Sequence, residues 1–210
     1  MRLVLDWDGT VTERDTLHMV IERFGDLGVF RAMEAEIGRR LMLNEVIGVE
    51  MATITAPREE VVSWLLEHAR VRAGFAALAA RHDPLIVSAG FHELIQPVLA
   101  REGVAAQVIA NRIEARPDGW RATFRELAAC PVCGEPCKRL DVAGQEPFVY
   151  VGDGVSDRCV ALAAERVFAR DGLAAWLAER GAPYERFEDL TDVLAALAEP
   201  GGRPHYLKGH

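Results

Sequence analysis

Short apolar runs that stop at polar, glycine-bearing clusters constrain this 210-residue chain more than any other feature. Arg2-Leu3-Val4-Leu5 halts at Asp6-Trp7-Asp8-Gly9-Thr10, and Leu85-Ile86-Val87 halts at Ser88-Ala89-Gly90. Phe148-Val149-Tyr150-Val151 ends the same way, at Gly152-Asp153-Gly154. Such runs read as buried strands with a loop at each carboxyl end. Between the first and second of them, from Asp15 to about Arg72, the apolar spacing turns helical. Leu17, Val20, Ile21 and Phe24 share one stripe, and Val61, Val62, Leu65 and Leu66 another. After Gly74, strand and helix alternate. The pattern predicts helices over 91–101, 157–165 and 172–180 and strands over 104–109 and 167–169. Trp120 to Thr123, behind Pro117-Asp118-Gly119, reads as the return arm of a hairpin. The chain is therefore read as α/β, its first strand separated from the rest by a helical insertion. Pro200 to His210 reads as a loose tail.

In open parallel sheets, ligands bind at the carboxyl ends of strands, and here those ends carry complementary groups. Asp6 and Asp8, two apart, leave a strand on the same side and aim two carboxylates at one point. Such a pair divides roles if one ionises while the other is held protonated. Ser88 offers a hydroxyl, and the small Ala89 and Gly90 leave backbone amides open to an anion. Of 24 basic residues only Lys138 and Lys208 are lysines, so Lys138 marks a place needing a compact ammonium rather than a planar fork. Asp153 and Asp157 follow a buried strand, which is costly without a cation. Carboxylates with few nitrogen ligands suit Mg²⁺. A helix N-terminus decorated with acids accounts for Asp157 better than for Asp153.

Composition limits the partners. A chain that is 50% hydrophobic and 27% charged folds rather than staying disordered. A net charge of −8 speaks against a nucleic-acid partner. No apolar run is long enough to span a bilayer, and Asp6 and Asp8 interrupt any secretory signal at the N-terminus. The expectation is a cytoplasmic protein with no membrane partner. Cys130, Cys133 and Cys137 have metal-like spacing, and Cys130-Pro131-Val132-Cys133-Gly134 is a turn of the kind that presents two thiolates to zinc. The fourth ligand is left open between Cys159, a histidine and water. Packed reduced thiols are the alternative, and Cys159, in a helical run, reads as a buried structural cysteine. His92, just after Ser88-Ala89-Gly90, is read either as a substrate contact or as a surface residue.

Taken together, DWDGT, the serine of VSAG, the lysine of CKRL and GDGVSD resemble the four motifs of the haloacid dehalogenase superfamily. The resemblance implies a Rossmann-like core with a mostly parallel sheet, formed by residues 1–14 and 76–210. It also implies a helical cap over residues 15–75 and a small β-hairpin near 112–124. It implies Asp6 as the nucleophile that takes a phosphoryl group and Asp8 as the acid and base. Thr10, Ser88, Ala89, Gly90 and Lys138 would bind phosphate. Mg²⁺ would be held by Asp6, Asp153 and the carbonyl of Asp8, with Asp157 in support. The implied partner is a small-molecule phosphate ester.

Within the superfamily the chain is similar to two branches, the phosphoserine phosphatases and the phosphatases of methionine salvage. The first branch grips its amino acid with a cap glutamate and a cap arginine. Asp15 matches the glutamate, and nothing basic lies between Arg40 and Arg58 to match the arginine. The second branch is matched by the stretch from Leu66 to Phe75, by Phe168-Ala169-Arg170-Asp171 and by the cysteines ahead of Lys138. Met19, Met33, Met42 and Met51 are read as either lining for a thioether or ordinary helical core. Phosphoserine hydrolysis, transfer to an acceptor alcohol and a silent zinc-stabilised interaction protein are the competing readings.

Overall fold

The computed structural model describes residues 1–37 and 39–198; the tail read as loose from Pro200 onward lies outside them. β1 (Arg2–Leu5) is followed by four helices, α1 (Thr16–Phe24), α2 (Leu27–Glu34), α3 (Leu43–Met51) and α4 (Arg58–His68). Then come α5 (Phe75–His82), β2 (Leu85–Phe91), α6 (His92–Arg101), β3 (Gln107–Glu114) and β4 (Arg121–Thr123). The second half runs α7 (Lys138–Asp141), β5 (Phe148–Gly152), α8 (Arg158–Ala161), β6 (Arg166–Ala169), α9 (Asp171–Glu179), β7 (Glu185–Arg186) and α10 (Leu190–Ala198). The strands form one sheet in the order β4-β3-β2-β1-β5-β6-β7. All neighbours are parallel except β3 and β4, which pair antiparallel from Arg112–Thr123 to Glu114–Arg121 and make the expected hairpin.

The central strands alternate strictly, which splits the core in two. Leu3 and Leu5 of β1 and Val149 and Val151 of β5 face one layer, packed with α5, α6, α10 and the insertion. Val4, Phe148 and Tyr150 face the other, with α8 and α9. Burial on both faces is what makes these strands read as continuous apolar runs. The sheet thereby holds the loops after β1, β2 and β5 side by side at one edge.

Several boundaries differ from the sequence expectation. β2 continues through Ser88-Ala89-Gly90 to Phe91, with an irregular register against β3 between Val87 and Phe91. Gly90 N donates to Ser88 Oγ at 2.8 Å, so the polar cluster is a kinked strand rather than a loop. The strand expected at 104–109 runs from Gln107 to Glu114 because it continues as the first arm of the hairpin. The helix expected over 157–165 is a 3₁₀ turn at Val155–Asp157 and then only Arg158–Ala161. There the Asp157 carboxylate turns inward and draws the loop after β5 with it. The helices α5, α7 and α10 and the strand β7 are additional to the expected elements; α7 and β7 are too short for a periodic signal.

The insertion leaves and returns along paired stretches of chain. Thr12 and Val71 form an antiparallel bridge, Glu13 N donates to Arg70 O at 2.9 Å, and Arg72 N donates to Val11 O at 2.8 Å. The hairpin braces its far end, where Trp120 Nε1 donates to Ala56 O at 2.9 Å. Among the described residues no helix is long and apolar enough to cross a membrane.

Candidate active site

Asp6 is the first residue beyond β1, and its amide donates to Val151 O of β5 at 2.9 Å, which fixes the start of the loop. Trp7 O then collects the amides of Val11 at 2.9 Å and Thr12 at 3.0 Å. The tight turn needs Gly9 at φ +78°, and a side chain there would place Cβ 2.4 Å from Asp153 Oδ2. Glycine is thus required both by conformation and by the approach of the two acidic loops. Thr10 Oγ1 donates to Asp153 Oδ1 at 2.7 Å and ties the loops together.

Lys138, at the start of α7, lies buried between two carboxylates. Its Nζ donates to Asp6 Oδ1 and, at 2.7 Å, to Asp157 Oδ1. Burial works against the ammonium, but Asp157 and Asp6 outweigh it, so the pKa of Lys138 is raised. Asp157 is saturated. Oδ1 also accepts from Tyr150 OH at 2.6 Å, and Oδ2 accepts from the amides of Asp153 at 2.9 Å and Gly154 at 3.0 Å. Although buried, Asp157 is held ionised by Lys138 and these donors. Its geometry is that of a holder of Lys138 and of the Asp153 loop.

Asp6, Asp153 and Asp157 present oxygen atoms within 4.8 Å of one another. Asp6 is raised well above the usual carboxylate range by burial and by Asp157, against the pull of Lys138. Asp153 is pushed up to about 6 by burial and by Asp157. Three crowded carboxylates with one ammonium among them leave negative charge in excess, and an all-oxygen donor set of this kind fits a hard divalent cation. Asp8 points the other way, toward α1. It accepts from Thr16 N at 3.0 Å and from Thr16 Oγ1, and Ser88 Oγ lies 3.4 Å from its other oxygen. Burial, then Asp15, pushes its pKa up to about 6. Gly90 is also a close approach, since a Cβ there would lie 2.8 Å from Asp8 Oδ2.

All seven residues singled out at the strand ends (Asp6, Asp8, Thr10, Ser88, Lys138, Asp153 and Asp157) therefore meet at one edge of the sheet. Two expected phosphate donors are engaged within the protein, Thr10 with Asp153 and the Gly90 amide with Ser88. His92 is not among the residues lining the neighbouring cavity, and its pKa is lowered by burial and by Arg112. Cys159 is buried, as the sequence suggests, and of the candidates left open for a fourth ligand it is the one in the cluster: its Sγ stands 3.8 Å from that of Cys130 and within 4.8 Å of all three others.

The model of the haloacid dehalogenase-like hydrolases matches residues 3–162, which include all four motifs. The chain belongs to this family. The relatives it is similar to include the 2-hydroxy-3-keto-5-methylthiopentenyl-1-phosphate phosphatase of Geobacillus kaustophilus. That protein is 27% identical, over 93% of this chain and 94% of the relative. The enzyme of the same name from Exiguobacterium sibiricum is 26% identical, over 94% and 96%. Among solved structures, a phospho-aspartyl intermediate analogue of phosphoserine phosphatase shares the fold. Its TM-score is 0.66 at 18% identity, covering 92% of this chain and 96% of that one. The chain is thus a hydrolase of phosphoric monoesters in this family.

Three groups that hold the site carry no local signal in the sequence. Arg125 binds Asp141 through two bonds of 2.9 Å and reaches Ser88 O at 3.1 Å and Asn111 Oδ1 at 3.0 Å. Asn111 in turn donates to Ala89 O at 2.7 Å. Together they set the kinked end of β2. Arg72, almost fully buried, donates to Thr10 O at 3.0 Å and Gly9 O at 2.9 Å and locks the first loop from behind.

Proposed function

We propose that this enzyme hydrolyses 2-hydroxy-3-keto-5-methylthiopentenyl-1-phosphate through an aspartyl phosphate on Asp6, with Mg²⁺ as cofactor and helices α1–α4 (residues 15–75) as a cap. One observation supports this substrate over phosphoserine, namely that the acids beside Asp8 have no arginine partner among the described residues, although Asp15 itself matches an acid that phosphoserine phosphatases also carry. Asp15 and Glu34 flank His18 at 3.8 and 3.9 Å. Glu50 is buried behind them, with Oε1 unpaired among the described residues. Burial, then Glu34 and Asp15, pushes Glu50 up to about 8. A substrate carboxylate placed there would meet acids where it needs a guanidinium. A cavity of about 440 Å³ opens from Ala89 and Lys138; Met42, Leu43, Leu127, Leu162 and Trp176 make an apolar part of its wall that suits a thioether tail, beside polar lining from Asn111, Arg125, Arg158 and the cysteines. Of the four insertion methionines only Met42 lines it; Met19 and Met51 are core.

In the reaction, the Asp6 carboxylate attacks phosphorus as the ester bond to the leaving oxygen breaks, and Asp8 delivers a proton to that oxygen. Water then attacks the aspartyl phosphate, giving its proton to Asp8, and the bond from Asp6 to phosphorus breaks. Ser88 and the amide of Ala89 receive phosphate oxygens, and Lys138 balances charge on nucleophile and phosphate. Asp6, Asp153 and the Asp8 carbonyl would hold Mg²⁺, which when bound supplies charge stabilisation. Asp157 keeps Lys138 in place.

The test is Mg²⁺-dependent phosphate release from the enol phosphate and from phosphoserine, side by side. A kcat/KM at least about tenfold higher for the enol phosphate is expected, the scale of one lost charge-assisted contact. Preference for phosphoserine would overturn the substrate assignment. The pH profile tests Asp8. Its limb should sit near its raised pKa of about 6. Asp15→Asn still caps α1, as Asp15 does by accepting from His18 N, but removes the charge that raises Asp8. The limb governed by Asp8 should therefore move to lower pH, and a rate profile that does not move would exclude this coupling.

A further inference from the structure

We propose that Cys130, Cys133, Cys137 and Cys159 bind one zinc ion as a closed four-thiolate centre that clamps the start of α7 to α8. The metal site stands independently of the substrate assigned above. Its basis is the arrangement of the sulfurs. All four Sγ atoms lie within 4.8 Å of one another, and Cys130 and Cys159 are 3.8 Å apart. Zn–S bonds of about 2.3 Å in a tetrahedron put sulfurs about 3.8 Å apart, whereas a disulfide would need about 2.05 Å.

The backbone is shaped for the same task. Gly134, at φ +80°, turns so that its amide donates to Cys130 O at 2.8 Å. Cys130 N donates to Glu135 O at 3.1 Å, closing the turn that brings Cys130 and Cys133 to one side. Cys137 is the residue before α7, and Cys159 comes from beyond β5, so the fourth ligand closes the site across the fold. Four thiols stacked together gain little from one another, being weak donors and acceptors. As thiolates around one divalent ion, with their protons released to solvent, each gains a strong bond.

Position gives the centre a purpose. Cys137 adjoins Lys138, and Cys159 lies two residues past Asp157, the two groups joined by the 2.7 Å ion pair. A metal holding both flanks would fix that pair from outside the reacting atoms, and because Cys133, Cys137 and Cys159 also line the cavity next to Lys138 it would shape one wall of that cavity; the cysteines act on the chemistry by positioning.

The experiment is elemental analysis and native mass spectrometry of the full chain, purified with reductant and without chelator. Cobalt is then exchanged in, and its absorption is recorded. One zinc per chain and the intense visible bands of a four-thiolate cobalt site are expected. Substoichiometric zinc after zinc addition, with four titratable thiols, would overturn the proposal, as would iron at the site. These readings need neither substrate nor a variant, so they stand apart from any failure of the phosphatase assignment. Cys159→Ser should weaken zinc binding by more than the about 10–100-fold typical of an outer-shell partner. Zinc-depleted enzyme assayed at saturating Mg²⁺ should lose kcat with KM little changed, and an unchanged kcat would remove the clamp while leaving the metal.

Discussion

Asp6→Asn is expected to abolish phosphate release, lowering kcat at least about a thousandfold, while the fold stays as stable as the parent's. The two halves of that expectation come from the same environment. The carboxylate is buried at the end of β1, and burial together with Asp157 raises its pKa well above the usual range. A group that binds its proton more tightly in the folded state than in the unfolded one disfavours folding at neutral pH, where the unfolded chain carries it ionised. The neutral amide removes that penalty, and Lys138 keeps its bond to Asp157 at 2.7 Å. The amide has no negative oxygen to form an acyl phosphate. Turnover assays beside thermal melting in buffer without divalent ions separate the two effects. A variant that melts at or above the parent temperature and still turns over at the parent rate would remove Asp6 from the chemistry.

How far the site was legible follows from how its parts are held. Asp6, Asp8 and Asp153 announce themselves because each lies within a few residues of a buried apolar strand, and a strand's burial is visible as local composition. Lys138 stands out only because the chain uses arginine nearly everywhere else. Arg125 and Arg72 gave no such sign, and Cys159 stood only as one of three candidates for a fourth ligand, since their partners are distant. Arg125 meets Ser88 across 37 positions, Arg72 meets Thr10 across 62, and Cys159 meets Cys130 across 29. The end of β2 was misplaced for a related reason: the bond from Gly90 N to Ser88 Oγ preserves the strand through a polar stretch that reads as a loop. The insertion was recognised as helical from its apolar stripes. Which of its side chains face the site was not, because apolar spacing alone cannot tell Met51, buried in the core, from Met42, exposed at the cavity.

Lys138→Met should damage both stability and activity, and the pH dependence of its stability identifies the cause. The variant leaves Asp6 and Asp157, both almost fully buried, with no cation between them. Breaking a buried pair by removing one partner costs about 3–5 kcal/mol, which for a chain of this size lowers the melting temperature by roughly 6–20 °C. The sign with pH is fixed by linkage. In the parent, Lys138 holds Asp157 below its ordinary pKa, so this carboxylate stabilises the fold above the unfolded value of about 3.9, and that contribution is lost as pH falls through its folded pKa. Without the ammonium, burial and mutual repulsion raise both carboxylates, and their cost grows as pH rises from about 4. The deficit between parent and variant should therefore be widest at neutral pH and narrow on acidification, in buffer without divalent ions. A constant deficit would mean that Lys138 acts through packing rather than charge. Lys138→Arg should recover little activity, because a planar guanidinium cannot replace a point charge donating to Asp6 and Asp157 at once in a closed site.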